Sequence, residues 1–423
     1  MLCEVGSFRH PRMMRLSTID LISAVMDQPV RPLDFAIVLH LRDVLAPADL
    51  EAGARSAQRR FPSTAAVLAG REWRSVPEPI DALACRTLPI TLVHQAVRAW
   101  IDEPSNLTTL VPVRQLFITC PGESGALLVT RFHHAAADGL AAMMWLREQL
   151  GVACGLRAPQ SFLEPHSHPA LRQQSVSRRT SMFSFGHPSD RLRHNGHPAT
   201  PARRWHTIDV ACGPLRAMAL RAGGFTYNDL LATCALETFR IWNAQYSSGR
   251  APEVGVWLPV NIRTSPLEGF GNGSSRIRVY NRYTATAPMH EKCRAVRLQV
   301  EWSRKHGEWV VPNLGPILRL PIWVLRPLLR AYFNRPWVDM GTGVFTHMER
   351  SALDDLPAGV VSRVEIVGML DTRHPFGICA ASMGDTTHVT FVHDPAQLSD
   401  AEAHALAQLY QAQLALALTE GGA

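Results

Sequence analysis

Lysine is almost missing from this chain. Lys292 and Lys305 are the only two in 423 residues, so the excess of 43 Lys+Arg over 36 Asp+Glu, a net +7, is carried by arginine. Charge is sparse at 19%, while hydrophobic residues reach 46%, which excludes a disordered acidic or basic tail protein. No two of the eight cysteines form a C-x-x-C pair. A zinc site or a disulfide framework is therefore not expected, and a reducing, cytoplasmic compartment is. No stretch approaches the roughly 18 uninterrupted apolar residues of a membrane helix. The nearest, 314–333, is broken by Arg319, Arg326 and Arg330 and by Pro316, Pro321 and Pro327. Residues 1–16 carry Arg9, Arg12 and Arg15 without an apolar run, so no signal peptide is read there. Heptads, internal repeats, nucleic-acid motifs and a G-x-S-x-G elbow are all absent, and the last absence argues against a serine hydrolase.

What is there reads as a globular protein long enough for two or three domains, able to bury about 75% of its unfolded surface without a staple. Its positive field suits phosphate-bearing ligands, acidic carrier proteins, nucleic acid or an anionic membrane surface, and does not choose among them. Strand patterns at Phe35–Leu41, Gly125–Phe132, Val254–Val260 and Thr387–Val392 alternate with helical ones. The helices run from Pro47 to before Pro62, from Asp138 to about Leu150, from Thr226 to about Asn243, and from Ser399 to about Leu418. Thr226 with Asp229, and Ser399 with Glu402, have capping-box spacing. From 164 to 206 the composition shifts to Pro, Ser and Gly with seven arginines and six histidines. This is a linker or crossover. Its histidines (His166, His168, His187, His194, His197, His206) lack the spacing and acidic co-ligands of a metal site. The expected division is 1–163, a linker at 164–206, and 207–423.

One segment carries chemistry: His133-His134-Ala135-Ala136-Ala137-Asp138-Gly139, where a strand ends in a tight loop that feeds a helix. A histidine there stands at the mouth of the sheet, where α/β folds bind ligands. Imidazole is also the group best suited to take a proton from a hydroxyl or amine near neutral pH. Asp138 is held by the helix start, so it reads as an N-cap and as the partner of an arginine.

H-H-x-x-x-D-G between a strand and a helix resembles the acyltransferase superfamily of chloramphenicol acetyltransferase. That superfamily includes nonribosomal peptide synthetase condensation domains, the wax ester synthase/diacylglycerol acyltransferase family and polyketide-associated acyltransferases. The motif lies about a third of the way along, as in the two-domain members. Leu16-Ser17-Thr18-Ile19-Asp20 is similar to the wax-synthase opening, and Thr226-Tyr227-Asn228-Asp229 to its second-domain helix. Leu258-Pro259-Val260-Asn261-Ile262-Arg263 and Gly271-Asn272 resemble further segments of these families, and His374-Pro375-Phe376-Gly377 a late active-site wall. Two features depart from the pattern. Thr346-His347-Met348-Glu349 stands where relatives often carry a Ser-Asn or Thr-Asn strand end, and the plant-type D-F-G-W-G signature is missing.

The resemblance implies an α/β (α+β) fold of two chloramphenicol-acetyltransferase-like sandwich subdomains, set as a V around a central tunnel. It implies a stand-alone acyltransferase in which His134 is the general base, His133 fills space behind the loop and the Gly139 N–H stabilises the oxyanion. Asp138 pairs with Arg263, the preferred partner, or with Arg60; Asn228 caps its helix. Arg319, Arg326 and Arg330, at helical spacing, form a basic patch suited to the donor's phosphates. The donor is acyl-CoA or an acyl carrier protein's phosphopantetheine thioester, and the acceptor an alcohol (ester formation is favoured) or an amine. No metal or redox cofactor and no nucleic acid are implied; a monomer is expected, and the basic patch is compatible with a membrane surface. The competing readings are an amide-forming condensation enzyme and a non-catalytic module that docks a carrier protein.

Overall fold

The computed structural model describes residues 13–28, 31–76, 83–161, 164–172, 189–247, 250–265, 269–310, 315–335, 338, 341–348, 353, 356–357 and 359–421. His187 and Glu349, named above, lie outside the described residues, as does the sequence before Met13. The first half runs β1 (Met13–Arg15), α1 (Thr18–Met26), β2 (Asp34–Leu41), α2 (Pro47–Arg60), β3 (Ala66–Ala69), β4 (Glu72–Ser75), β5 (Leu83–Thr87), α3 (Ile90–Ile101), β6 (Val113–Thr119), β7 (Ala126–His133) and α4 (Gly139–Ala153). The second half runs β8 (Arg204–Ala211), α5 (Cys212–Ala222), α6 (Tyr227–Ala244), β9 (Gly255–Asn261), β10 (Ser274–Tyr280), α7 (Met289–Lys305), α8 (Gly315–Leu318), α9 (Ile322–Phe333), β11 (Gly343–Met348), β12 (Val361–Val367), β13 (Phe376–Met383), β14 (Thr386–His393) and α10 (Asp400–Gly421).

Local chemistry sets these boundaries. Pro47 opens α2 with a pre-set φ. In α6 the Thr226 hydroxyl accepts the Asp229 N–H, and the Asp229 carboxylate accepts the Thr226 N–H. Ser399 and Glu402 make the same reciprocal pair at the start of α10, and so do Ser17 and Asp20 at α1. The last of these was not read from the sequence.

A five-stranded sheet, β12-β2-β7-β6-β5, underlies the first half, and a six-stranded sheet, β10-β9-β11-β13-β14-β8, the second; β1, β4 and β3 form a small third sheet. β12 comes from the second half yet pairs antiparallel with β2, with Val364 opposite Leu39. The second half thus reaches back to complete the first sheet. The stretch read as a linker ends inside β8, which already holds Arg204, Trp205 and His206. Just before it, Arg203 is buried and donates to the Asp34 carboxylate at 2.7 Å, and Arg131 donates to the other oxygen at 3.1 Å. Burial would raise the Asp34 pKa, but the two guanidiniums hold it down to about 2. This ion cluster fastens the crossover to the start of β2.

Alternation decides which way the second sheet looks. Val256, Leu258, Ile277, Val279 and Phe345 join the core beneath α6, α7 and α10. The opposite face carries Cys379, Ala381 and Met348, which pack with the first-half core. Farther along that face, on β9 and β10, stand Trp257, Ser274, Arg276 and Arg278.

Candidate active site

The H-H-x-x-x-D-G segment leaves β7, turns over residues 134–136, and enters α4. His133 is buried, and its Nδ1 accepts the Ala135 N–H at 3.0 Å. Its Nε2 is 3.2 Å from Asp27 Oδ1 but off the hydrogen-bond direction. His133 therefore braces the loop from behind. His134 is half-buried and lies against Phe35, with ring centroids 4.6 Å apart. Burial, with His133 adding a like charge, pulls its pKa down to about 4 against the opposing fields of Asp138 and Asp34. The imidazole is neutral at pH 7, as a proton acceptor must be.

Asp138 caps α4 by accepting the Ala141 N–H at 2.9 Å. Its carboxylate also takes a two-pronged pair from Arg263, 2.9 Å on each arm, with the Gly273 N–H at 2.9 Å and the Ser274 hydroxyl at 2.7 Å. Burial would raise the Asp138 pKa; the charge and hydrogen bonds of Arg263 outweigh it and hold the carboxyl below its usual range. Arg263 is fully buried and also donates to the Gly271 carbonyl at 2.7 Å. The alternative partner, Arg60, is elsewhere: it is part-exposed and pairs with Glu148 at 2.7 Å. Arg60 is corrected accordingly, since its guanidinium, at the end of α2, is engaged by the buried Glu148 of α4 and not by Asp138.

Gly139 is the first residue of α4, so its N–H has no acceptor within the helix and is available to an anion. A Cβ there would meet Met348 Sδ at 3.5 Å, so β11 of the second half ends beside the loop. Asn228 does not cap α6, a place taken by Thr226; its side-chain oxygen lies 3.2 Å from His347 Nδ1. His347 Nε2 is in turn 2.9 Å from Ser382 Oγ. The departure noted at His347 is thus a half-buried bridge from α6 to β13, and burial pulls its pKa down to about 4.

Arg319, Arg326 and Arg330 do not form one helical stripe. Arg319 precedes Pro321 and the start of α9. Arg326 donates to the Val25 carbonyl at 3.1 Å and Arg330 to the Asp27 carbonyl at 3.2 Å. Both hold the last turn of α1, where cations belong. The linker histidines are likewise dispersed: His197 bonds Glu402 at 2.7 Å, His206 stacks on Phe391, and His168 meets the Arg15 carbonyl at 2.7 Å.

Asn272 was quoted from the sequence without a role. Its amide donates at 2.6 Å both to Asp20 and to the His134 carbonyl, so the opening segment, the loop and β10 are tied at one point. Neither the Asp20–Asn272 contact nor that of Ser274 with Asp138 has a local signal, because each partner lies more than a hundred residues away. Gly273 makes the packing testable. A Cβ there would lie 2.5 Å from Arg263 Cγ and 2.6 Å from its Cζ and Nε. Gly273→Ala should therefore destabilise by about 1–3 kcal/mol in denaturant titration, as overpacking does. Gly213→Ala in α5, where nothing lies within 4 Å, should be neutral or slightly stabilising. Equal effects at the two positions would mean that Arg263 is not locked.

No protein-family model and no curated protein matches the sequence. Solved structures do match in fold. The first condensation domain of the calcium-dependent antibiotic synthetase, in complex with a substrate analogue, superposes with a TM-score of 0.69 at 14% identity, over 97% of each chain. The starter condensation domain of rhizomide synthetase RzmA, a mutant in complex with C8-CoA, gives 0.64 at 14% identity, over 97% of this chain and 95% of that one. The X-domain from teicoplanin biosynthesis gives 0.62 at 16% identity, over 98% and 96%. H-H-x-x-x-D-G ends β7, Arg263 is paired with Asp138, and over nearly its whole length the chain has the fold of these condensation domains.

Proposed function

We propose that this protein is an acyltransferase that moves an acyl group from a thioester, on CoA or on a carrier protein's phosphopantetheine, to an alcohol, forming an ester. The observation that carries the proposal is the pairing of a neutral, half-buried His134 with the N–H of Gly139 in the first turn of α4, across one loop. The neutral imidazole of His134 is the base. It takes the acceptor's proton as the acceptor oxygen attacks the thioester carbonyl; the Gly139 N–H receives the developing oxyanion, and the thiolate leaves with the proton returned by His134. The acyl-CoA in the rhizomide synthetase complex supports a CoA thioester as donor. Ester over amide formation rests on the similarity of the 16–20 opening to the wax synthases.

The test is a mass-spectrometric screen of acyl-CoA and acyl-carrier donors against pooled alcohols and pooled amines. Ester products are expected. Amides alone would replace the acceptor class, and no product from any pair would favour the non-catalytic module.

The proposal also fixes a pH profile. A base with its pKa near 4 keeps nearly full activity as the pH is lowered from 8 to about 5, so kcat/KM should show no acid limb near 6.5. Stability behaves differently. An unfolded histidine takes up a proton near 6.5, whereas His134 and His347 resist doing so until about 4. The unfolded state therefore binds more protons in that window, and stability falls as pH drops from 6.5 to 4. Thermal unfolding read across that range checks the sign; a flat response would remove the buried-neutral assignment.

A further inference from the structure

The face of the second sheet that carries Ser274 holds a charge with no use in the mechanism above. Ser274, Arg276 and Arg278 alternate on β10, and Ile277 and Val279 between them face the helix core. Ser274 bonds Asp138, so this face meets the catalytic loop, and Arg276 stands two residues, about 7 Å, farther along the same strand. Arg278 is neutralised by Glu308 at 3.2 Å. Arg276 has no ion pair among the described residues. Its guanidinium carbon lies 3.1 Å from the centroid of the Trp257 ring, and its buried Nε has no acceptor. The indole Nε1 of Trp257 is also buried without an acceptor. Among the described residues the carboxylate whose field acts on Arg276 is that of Asp371, which is held by His374 at 3.0 Å and by the N–H groups of Arg373 and His374. Burial and the like charge of Arg278 draw the Arg276 pKa down to about 9, so it stays charged at neutrality without a counter-ion.

Buried charges are ordinarily paired, and buried donors ordinarily bonded. We infer that Arg276 and the indole N–H of Trp257 form a carboxylate-binding subsite beside the catalytic loop. Resting on the acyl-transfer reading, this places a carboxylate on the acceptor or on the far end of the acyl group. A guanidinium fork matches two carboxylate oxygens. A CoA diphosphate is a poorer occupant: it carries more charge than one arginine offsets, and the pantetheine arm holds it away from the reacting carbonyl.

The test uses the full chain and four probes. Calorimetric titration compares ω-hydroxyhexanoate with the uncharged ω-hydroxyhexanamide for the acceptor arm, and hexanedioyl-CoA with hexanoyl-CoA for the donor arm. In one arm the wild type should prefer the carboxylate about tenfold or more, the size expected of a charged hydrogen-bonded pair. Arg276→Gln should bring the two ligands within about twofold on the same scale. Trp257→Phe, which keeps the stacked ring should Arg276→Gln not fold, should weaken the preference several-fold. His134→Ala should retain it. Preference in the acceptor arm or in the donor arm identifies which partner carries the group. No preference in either arm, or a preference that survives Arg276→Gln or Trp257→Phe, overturns the subsite. A preference that depends on Arg276, with no transfer in any pairing, would leave the subsite standing and sink the acyltransferase.

Discussion

His134→Ala is expected to lower kcat/KM for transfer by about 10²–10⁴, the range of general-base help from a placed imidazole. Release of free CoA thiol measures it. The loss should fall on kcat with little change in KM, since the proton moves only in the transition state. The fold should survive, because the half-buried ring contributes one tilted contact with Phe35 and, among the described residues, no ion pair. His133→Ala is the informative comparison. It removes the acceptor of the buried Ala135 N–H, so it should cost about 1–3 kcal/mol of stability with a smaller loss of rate. If His134→Ala keeps more than about a tenth of wild-type turnover, a general base of that size is untenable. A module that only docks a carrier protein would show no such contrast between the two histidines.

Local rules made much of the molecule legible from the sequence. The strand at Phe35–Leu41, the helix stopping before Pro62, and the helices opened by Thr226 and Ser399 all lie within three residues of β2, α2, α6 and α10. Each boundary is set by groups three or four residues apart: a cap, a proline, an alternation. The Asp138–Arg263 pair lay 125 residues apart, and a family resemblance suggested it where no spacing rule could. What stayed hidden depends on tertiary register. Val361–Val367 reads as any half-buried strand, and nothing in it shows that its partner is β2. The stripe at Arg319, Arg326 and Arg330 misled for the same reason. Its spacing is helical, but Pro321 splits it, and the carbonyls it serves belong to α1. Arg276 is the converse case. The strand that carries it, β10, was not read from the sequence, and its lack of a counter-ion is a property of every neighbour at once.

Asp138→Asn should destabilise the protein by about 3–5 kcal/mol, because a fully buried Arg263 would lose the one counter-charge it has among the described residues. The substitution keeps the shape of the side chain and, with its one oxygen on Ala141, the N-cap; the NH2 in place of Oδ2 cannot accept from Gly273, so the loss reports the charge together with that hydrogen bond. Rate should fall as well, since the same carboxylate sets the first turn of α4 and thereby the Gly139 N–H. A double-mutant cycle with Arg263→Gln separates the pair from its surroundings. Removing both partners should cost less than the sum of the single losses, by about 0.5–3 kcal/mol, because neither charge is then stranded. Arg60→Gln, whose partner is Glu148, should add to Asp138→Asn without coupling. Acid titration gives an independent reading. The Asp138 pKa is depressed, so its contribution is complete above the ordinary carboxylate range and is lost as pH falls below it. Asp138→Asn should therefore flatten the steep acid end of the stability curve while leaving the histidine window between 6.5 and 4 in place. Additivity with Arg263→Gln, or an acid end unchanged by Asp138→Asn, would mean that the two-pronged contact carries no net energy and that α4 is positioned by Gly273 and Ser274 alone.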